Sequence, residues 1–299
     1  MSSALSSAGN GHRSPVVHVA FRTDGRRLAS CSYDGAVIVW ESAPSSRLAR
    51  LTSLGRRQQV RAAHWNPAAA DLLATASKTR GAMVWRIVDD RPPVLLTLFD
   101  RRTEGLRSIT WTAEGQQLLC LTDDGDITLW HAQTASLITT VGRRRARCVD
   151  VSVSAAGAVA AVCEDDVITV GDLSPRRPRA LRRYATAIVG CAWSPDGSTL
   201  AVLSADGTLE ILTADLDHLG AVRVPPSALG CLVWVTDDHV VVGGYDGSLH
   251  LIGRAGGQGS RLRDSRLWPA SMSFAAGMLA VGGLVAEPRV LSLFLGGSP

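Results

Sequence analysis

The stretch LASCSYDGAVIVW occupies residues 28–40 and decides how the whole chain is interpreted. It begins with small apolar residues, passes through a Tyr-Asp-Gly turn and ends in a β-branched run closed by Trp40. Asp-Gly between two apolar runs is a hairpin signal, because glycine accepts the positive φ that tight turns require. Alone, the stretch predicts one β-hairpin, so the fold depends on whether it recurs.

The stretch recurs along the chain. Clear copies are LLCLTDDGDITLW (118–130), LAVLSADGTLEIL (200–212) and VVVGGYDGSLHLI (240–252), and degenerate copies occupy 72–85, 159–171 and 279–294. A second apolar run precedes each copy, and the last residues of these runs lie 40 to 46 positions apart: Phe21, Trp65, Trp111, Val153, Trp193, Trp234 and Phe274. Each unit therefore offers three strands and a variable segment for a fourth, outer strand.

Seven such units predict an all-β fold. Helical periodicity is nearly absent, and glycine-rich turns separate runs of strand length. A period of about 40 to 45 residues with four strands is that of a propeller blade, and blades stack around a channel because one blade cannot bury both faces. We predict a seven-bladed β-propeller of four-stranded antiparallel blades.

The chain resembles the WD-repeat β-propellers over residues 12–299, through DGAVIVW, DGDITLW and the Gly-His pair before the first unit. The resemblance implies a hydrogen-bond network that this chain can complete only in the first unit: His12, Ser30, Asp34 and Trp40. The third-strand tryptophan persists at Trp85 and Trp130. Later units replace it by Gly171, Leu212 and Ile252.

Closure of the ring depends on the N-terminal segment, residues 1–11. The seventh unit offers three strands, and the resemblance implies that the N-terminal segment supplies the missing outer strand of the last blade. We expect residues 2–9 to form it. Without that strand, the last blade would keep an edge exposed for pairing with another chain.

The composition is that of a folded domain, with 46% hydrophobic and 19% charged residues and a formal net charge of +4. Six cysteines lie in apolar runs without any C-x-x-C pair, so we expect buried thiols: Cys31, Cys120, Cys148, Cys163, Cys191 and Cys231. We expect neither a signal peptide nor a membrane-spanning run. These features predict a cytoplasmic protein.

The residues form no recognisable catalytic constellation. The turn aspartates are interpreted as structural, because aspartate in a tight turn satisfies local backbone donors: Asp34, Asp124, Asp165, Asp206 and Asp246. The histidines are scattered without metal-ligand spacing, there is no G-x-S-x-G motif, and GRAGGQGS (253–260) does not match a phosphate-binding loop. We expect no enzyme activity, no cofactor and no metal.

Arginines cluster where one unit leads to the next, and Lys78 is the single lysine among 31 basic residues. The resemblance implies that these connections share the top face with the turns after the second strands, so the clusters would form a basic arc. Clustered arginine binds carboxylate and phosphate bidentately. The candidate contacts are Arg56, Arg57, Arg102, Arg107, Arg144, Arg145 and Arg183. A solvated surface neutralised by the turn aspartates is an equally open interpretation.

The resemblance and the missing catalytic groups predict a non-catalytic scaffold that docks an acidic or phosphorylated protein partner through this arginine-rich face. We expect no nucleic acid, because the loops lack interleaved aromatics for base stacking, no membrane association and a monomeric chain. Two alternatives stay open. The central channel could bind a small ligand or perform chemistry, or the chain could be a sensor or regulatory subunit whose effector is another chain.

Overall fold

The computed structural model describes residues 11–42, 48–54, 59–89, 91–99, 103, 105–142, 148–154, 158–163, 166–173, 179–225, 230–255, 259–264, 268–284 and 287–293. These residues form 27 β-strands in seven antiparallel sheets. No helix formed by the described residues is long and apolar enough to cross a membrane.

The first four sheets are meanders, in which consecutive strands of the chain are hydrogen-bonded neighbours. Their strands are β1 Val16–Phe21, β2 Arg27–Ser32, β3 Val37–Ser42, β4 Leu48–Leu54, β5 Val60–Trp65, β6 Leu72–Ser77, β7 Gly81–Arg86, β8 Val94–Leu98, β9 Leu106–Trp111, β10 Gln117–Thr122, β11 Ile127–His131, β12 Leu137–Gly142, β13 Cys148–Val153, β14 Ala158–Cys163, β15 Val167–Asp172 and β16 Ala180–Arg183.

The last three sheets repeat this order, although the seventh has three strands within the described residues. Their strands are β17 Ile188–Trp193, β18 Thr199–Ser204, β19 Thr208–Thr213, β20 His218–Arg223, β21 Cys231–Thr236, β22 His239–Gly243, β23 Ser248–Gly253, β24 Ser260–Asp264, β25 Ser271–Ala275, β26 Met278–Gly282 and β27 Arg289–Ser292.

Four of the six Asp-Gly pairs lie where the second strand of a sheet turns into the third. Gly35, Gly207 and Gly247 have φ values of +78°, +89° and +83°, a region that a residue with a Cβ atom enters only with strain. In the first sheet, Oδ1 of Asp34 also accepts the Ala36 backbone N–H at 2.9 Å. Glycine supplies the conformation and aspartate satisfies the donor, so the dipeptide specifies the turn.

The sheets are arranged in a cycle. The first strand β1 packs against β5, and the series continues through β9, β13, β17 and β21 to β25, which packs against β1. Seven core clusters follow the same order, because each contains side chains of two neighbouring sheets. The cluster shared by the last and first sheets packs Leu28 and Trp40 with Ala280 and Val290. The fold is therefore all-β and propeller-like.

Side chains join the first strands of neighbouring sheets by accepting backbone N–H groups. Between the last and first sheets, the Ser271 hydroxyl accepts the Val19 N–H at 3.2 Å and the Ser273 hydroxyl accepts the Phe21 N–H at 2.9 Å. Similar bonds join other neighbours: Ser152 Oγ with the Trp193 N–H (3.4 Å), His18 Nδ1 with the Ala63 N–H (3.5 Å) and the Asp150 carboxylate with the Cys191 N–H.

A second series of bonds uses tryptophans of the first strands. Three of them donate the indole N–H to a carbonyl of the preceding sheet: Trp65 to Ala20 (3.2 Å), Trp111 to His64 (2.9 Å) and Trp234 to Ala192 (2.9 Å). The Trp193 indole N–H is buried without a hydrogen-bond partner in the described part of the chain. Three of the aromatic positions that revealed the repeat therefore also form hydrogen bonds between neighbouring sheets.

The prediction of an all-β chain with four-stranded antiparallel sheets is confirmed. Residues 2–9, expected to add an outer strand to the last sheet, lie outside the described residues. The division into a segment 1–11 and a domain 12–299 stays a prediction.

The described cysteines lie within the sheets. Cys31, Cys120 and Cys191 are buried unpaired thiols, and Cys231 is a half-buried one. Cys148 is buried and donates its Sγ–H to the Asp150 carbonyl at 3.3 Å. Burial raises the pKa of the Cys231 thiol to about 12, which leaves it in the unreactive protonated form. Cys163 belongs to β14, whose side chains are outside the described set.

Replacing Trp111 by Phe is expected to lower the free energy of unfolding by about 1 kcal/mol more than replacing Trp193 by Phe. Both side chains are buried, and both variants lose the same atoms. Only the Trp111 indole loses a hydrogen bond, whereas the Trp193 variant removes an unsatisfied donor. Urea unfolding measures the difference. Equal losses of unfolding free energy in the two variants would contradict a stabilising role of the Trp111 hydrogen bond.

Candidate functional site

The antiparallel order gives the molecule two unlike faces. The turn from the second to the third strand and, in the six four-stranded sheets, the connection from the fourth strand to the next sheet lie at the same end of a sheet. We call this end the top face. It contains the described turn aspartates Asp34, Asp124, Asp206 and Asp246.

The first sheet contains the hydrogen-bond network that the resemblance implied. The Trp40 indole N–H donates to Ser30 Oγ at 2.7 Å, and Ser30 Oγ lies 2.8 Å from His12 Nε2. His12 Nδ1 lies 3.3 Å from both carboxylate oxygens of Asp34, and Asp34 Oδ2 accepts the Arg13 N–H at 2.8 Å. His12, Ser30 and Trp40 are buried, so the network ties the strands of the first sheet together.

Other sheets retain parts of this network. The Trp85 indole N–H donates to Thr75 Oγ1 at 3.0 Å, which reproduces the tryptophan–hydroxyl bond of the first sheet. In the third sheet, Cys120 stands where a hydroxyl would be needed, and the Trp130 indole N–H donates instead to Thr128 Oγ1 at 2.9 Å. The bond to tryptophan thus survives the loss of its usual acceptor.

The turn aspartates bind their own turns. Asp206 accepts the Thr208 N–H and hydroxyl, both at 3.0 Å, and Asp246 accepts the Ser248 N–H at 2.8 Å. The Thr208 backbone N–H, together with its hydroxyl, lowers the pKa of Asp206. Asp124 is exposed in the equivalent turn of the third sheet. Asp165 lies outside the described residues.

The structure describes two of the seven candidate arginines. Arg183 is the exposed last residue of β16, beside Arg182, whose guanidinium is bound to Glu210 at 2.5 Å. Arg107 was expected in the connection between two sheets, but it lies within β9. Its Nε–H donates to the Val149 carbonyl at 3.1 Å. The others lie outside the described residues: Arg56, Arg57, Arg102, Arg144 and Arg145. A basic arc on the top face stays a prediction.

The top face also exposes large apolar side chains that the sequence analysis missed. Three belong to turns after the second strand and one to the connection before β25, and we call them the apolar patch: Tyr33 (75% exposed), Tyr245 (61%), Leu284 (59%) and Trp268 (52%). They belong to the sixth, seventh and first sheets, which are neighbours. A signal was present, since tyrosine precedes the Asp-Gly pair at 33 and 245, where the turn itself requires no aromatic side chain.

The first strands surround a central channel with a volume of about 600 Å³. Every one of the seven first strands contributes to its wall. On the side of the second to fourth sheets, the wall is polar, with Arg61, Arg107 and Asp150 among its residues. On the opposite side, small residues line it, including Gly190 and Gly230.

Burial shifts the titration of three channel groups. His18 and His64 have ring centroids 4.8 Å apart. Burial, helped by the neighbouring His64, holds the pKa of His18 well below its ordinary value, and burial lowers the pKa of His64 to about 4. Burial raises the pKa of Asp150 to about 6, although hydrogen bonds from the backbone N–H groups of Val151 and Cys191 act to lower it. Both imidazoles are therefore neutral at pH 7.

Comparison with known proteins gives partial matches. Residues 5–41 and 179–211 match the family model described as "WD domain, G-beta repeat". The chain is 27% identical over 221 residues to Protein HIR1 of Mycosarcoma maydis, covering 67% of this chain and 21% of that protein. It is 23% identical over 205 residues to THO complex subunit 3 of Arabidopsis thaliana, covering 68% of this chain and 51% of that protein.

A third relative is WD repeat-containing protein slp1 of Schizosaccharomyces pombe (strain 972 / ATCC 24843), which is 24% identical over 131 residues. That match covers 42% of this chain and 26% of the relative. The matched parts therefore span from about a fifth to about half of the length of these three relatives.

Asp150→Asn is expected to be more stable than wild type at pH 7.5, by about 1–2 kcal/mol. A carboxyl whose pKa is raised in the folded state stabilises the fold fully below its unfolded pKa near 4, and this contribution is lost as pH rises through about 6. The amide stays neutral and can still accept the Cys191 N–H. Urea unfolding at pH 5 and 7.5 should show the advantage of the variant shrinking in acid.

Asp206→Asn provides the control of opposite sign. The pKa of Asp206 is lowered in the folded state, so its carboxylate stabilises the fold above its unfolded pKa and this contribution is lost as the pH falls through its folded pKa. An Asp150→Asn variant that is less stable than wild type by the same amount at both pH values would contradict the assignment.

Proposed function

We propose that this chain, which belongs to the WD-repeat family, is a non-catalytic platform that docks a protein partner on its top face. The observation that carries the proposal is the apolar patch. Tyrosine and tryptophan dominate the binding energy of protein interfaces, and large apolar groups gathered on one exposed face mark such interfaces. One relative is, by name, a subunit of the THO complex, which agrees with a role in assemblies.

We infer that the sheets form a closed, seven-bladed propeller. The cycle of contacts between first strands and the core cluster shared by the first and last sheets support closure. The bonds from Ser271 and Ser273 to the first strand support it as well. A closed ring fixes all the turns of the top face relative to one another, so a partner meets a preformed surface at low entropic cost.

The chemistry of the partner follows from the charges around the apolar patch. Arg13 precedes β1, and Lys78 and Arg80 belong to the turn after β6, which places all three near the top face. All three side chains are exposed. The candidate arginines of the inter-sheet connections would extend this charge around the ring. We therefore propose a partner segment with hydrophobic side chains for the patch and acidic or phosphorylated groups for the arginines.

A non-catalytic role agrees with how the reactive side chains are used. His12 and Ser30 are buried and bond to each other, and the turn aspartates Asp206 and Asp246 hold backbone donors. A nucleophile or general base needs a position from which it can reach a substrate. The unpaired thiols support the further proposal that the protein works in a reducing compartment, the cytoplasm.

The double variant Tyr245→Ala/Trp268→Ala is expected to lose at least tenfold in partner affinity, because two exposed anchors are removed. The matched control is Val94→Ala, since Val94 is also 52% exposed but is the first residue of the outer strand β8, at the end opposite to the top face. Partners captured by wild type are identified by mass spectrometry, purified and titrated against the three proteins. Equal affinity of double variant and control would contradict the role of the patch.

The arginines are tested by the charge reversal Arg57→Glu/Arg102→Glu/Arg145→Glu. We expect this variant to keep its circular dichroism spectrum and lose the partner, and wild-type affinity to fall as salt rises. A folded triple variant that binds as wild type would refute the arginine contacts, while the patch would be judged by its own variants.

A further inference from the structure

Protein docking on the top face leaves the central channel unused, although the channel wall gathers cationic groups at one place. Arg61 is the second residue of β5 and Arg107 is the second residue of β9. The two strands are neighbours in the cycle, and both side chains line the channel. The residues at the same position of β1, β13 and β17 are valines, so the cationic wall is local.

Contacts hold both guanidinium groups in place. Arg61 Nη1 donates to Asp123 Oδ1 at 2.6 Å, and a third of each of these two side chains is exposed. Arg107 uses its Nε–H for the Val149 carbonyl. The two terminal amino groups of Arg107 take no part in the bond to Val149. Two such groups can bind an oxyanion in bidentate fashion.

The histidine pair adds a donor to the same cavity. His18 Nδ1 accepts the Ala63 N–H, and a neutral imidazole that accepts at Nδ1 has its proton at Nε2. His18 is therefore a hydrogen-bond donor through Nε2 and is not arranged as a metal ligand. With Arg61 and Arg107, the wall presents donors to any ligand that enters.

We propose that the central channel binds a small organic oxyanion, a carboxylate or a phosphate ester, with its charged group on Arg107 and Arg61. The volume of about 600 Å³ is typical of small-molecule sites. Guanidinium groups match the planar carboxylate and the phosphate equally in geometry, so the two ligands share one recognition chemistry. Tyr33 lines the channel and is exposed on the top face, which marks the entrance.

Asp150 couples this binding to a proton. Arg107 of β9 is the charged group that lowers the pKa of Asp150. The Cys191 thiol of β17 stays protonated, because burial, helped by Asp150, raises its pKa well above the usual value. Farther along the wall lie the neutral His18 and His64. A bound anion repels an ionised Asp150, so binding takes up a proton and tightens as the pH falls from 7.5 towards 6.

The test is calorimetric titration of the intact chain with succinate and with glycerol 3-phosphate, each against sodium chloride of equal ionic strength. We expect at least one of the two anions to bind, and the one that binds more tightly identifies the ligand class. Arg107→Gln should weaken that binding at least tenfold, and Arg61→Gln, which removes a guanidinium already paired with Asp123, should also weaken it. Arg86→Gln is the matched control, since Arg86 is an exposed arginine of β7 paired with Asp71.

Asp150→Asn gives the readout that a structural role would not produce. It should bind the anion more tightly than wild type at pH 7.5, and its affinity should rise less than that of wild type as the pH falls towards 6. The proposal is overturned if neither anion binds wild type beyond the chloride control, or if Arg107→Gln and Arg61→Gln bind as tightly as Arg86→Gln. Protein docking rests on the apolar patch, so either result leaves that function to be judged by its own variants.

Discussion

Each first strand pairs with one strand of its own sheet, and the structure depends on how the N–H groups of its other edge are satisfied. Unpaired backbone donors inside a protein cost free energy and invite pairing with other chains. Here, side chains of the neighbouring sheet accept some of them, as Ser271 and Ser273 do for Val19 and Phe21. The same bonds that satisfy donors fix the position of one sheet against the next.

The use of side chains as acceptors for backbone N–H groups also affects the two candidate sites. Acceptors such as Asp150 and His18 stand at the inner edge of the sheets, so the channel they line is polar and contains groups with shifted titration. On the top face, the turn aspartates Asp34 and Asp206 are bonded within their own turn or network. Neighbouring side chains such as Tyr245 are exposed.

The sequence predicted what is local and periodic. Asp-Gly turns and aromatic strand ends recur about every 40 residues, and they predicted the strands and the sheets. The resemblance to the WD-repeat family implied the network around Trp40. It did not predict contacts between residues far apart in the chain. Ser271 and Val19 are 252 positions apart, and no local pattern links them. Arg107 was misplaced for a related reason, since a cluster near a strand boundary does not reveal which of its residues enters the strand.

The central claim is that the first and last sheets close the ring through bonds to β1. The most direct measurement is amide hydrogen exchange of Val19 and Phe21 in the intact chain, compared with Leu203 in the middle of a sheet. We predict that all three amides exchange only through global unfolding, with the same free energy of opening. Exchange of Val19 and Phe21 through a much less costly local opening, while Leu203 stays protected, would contradict closure.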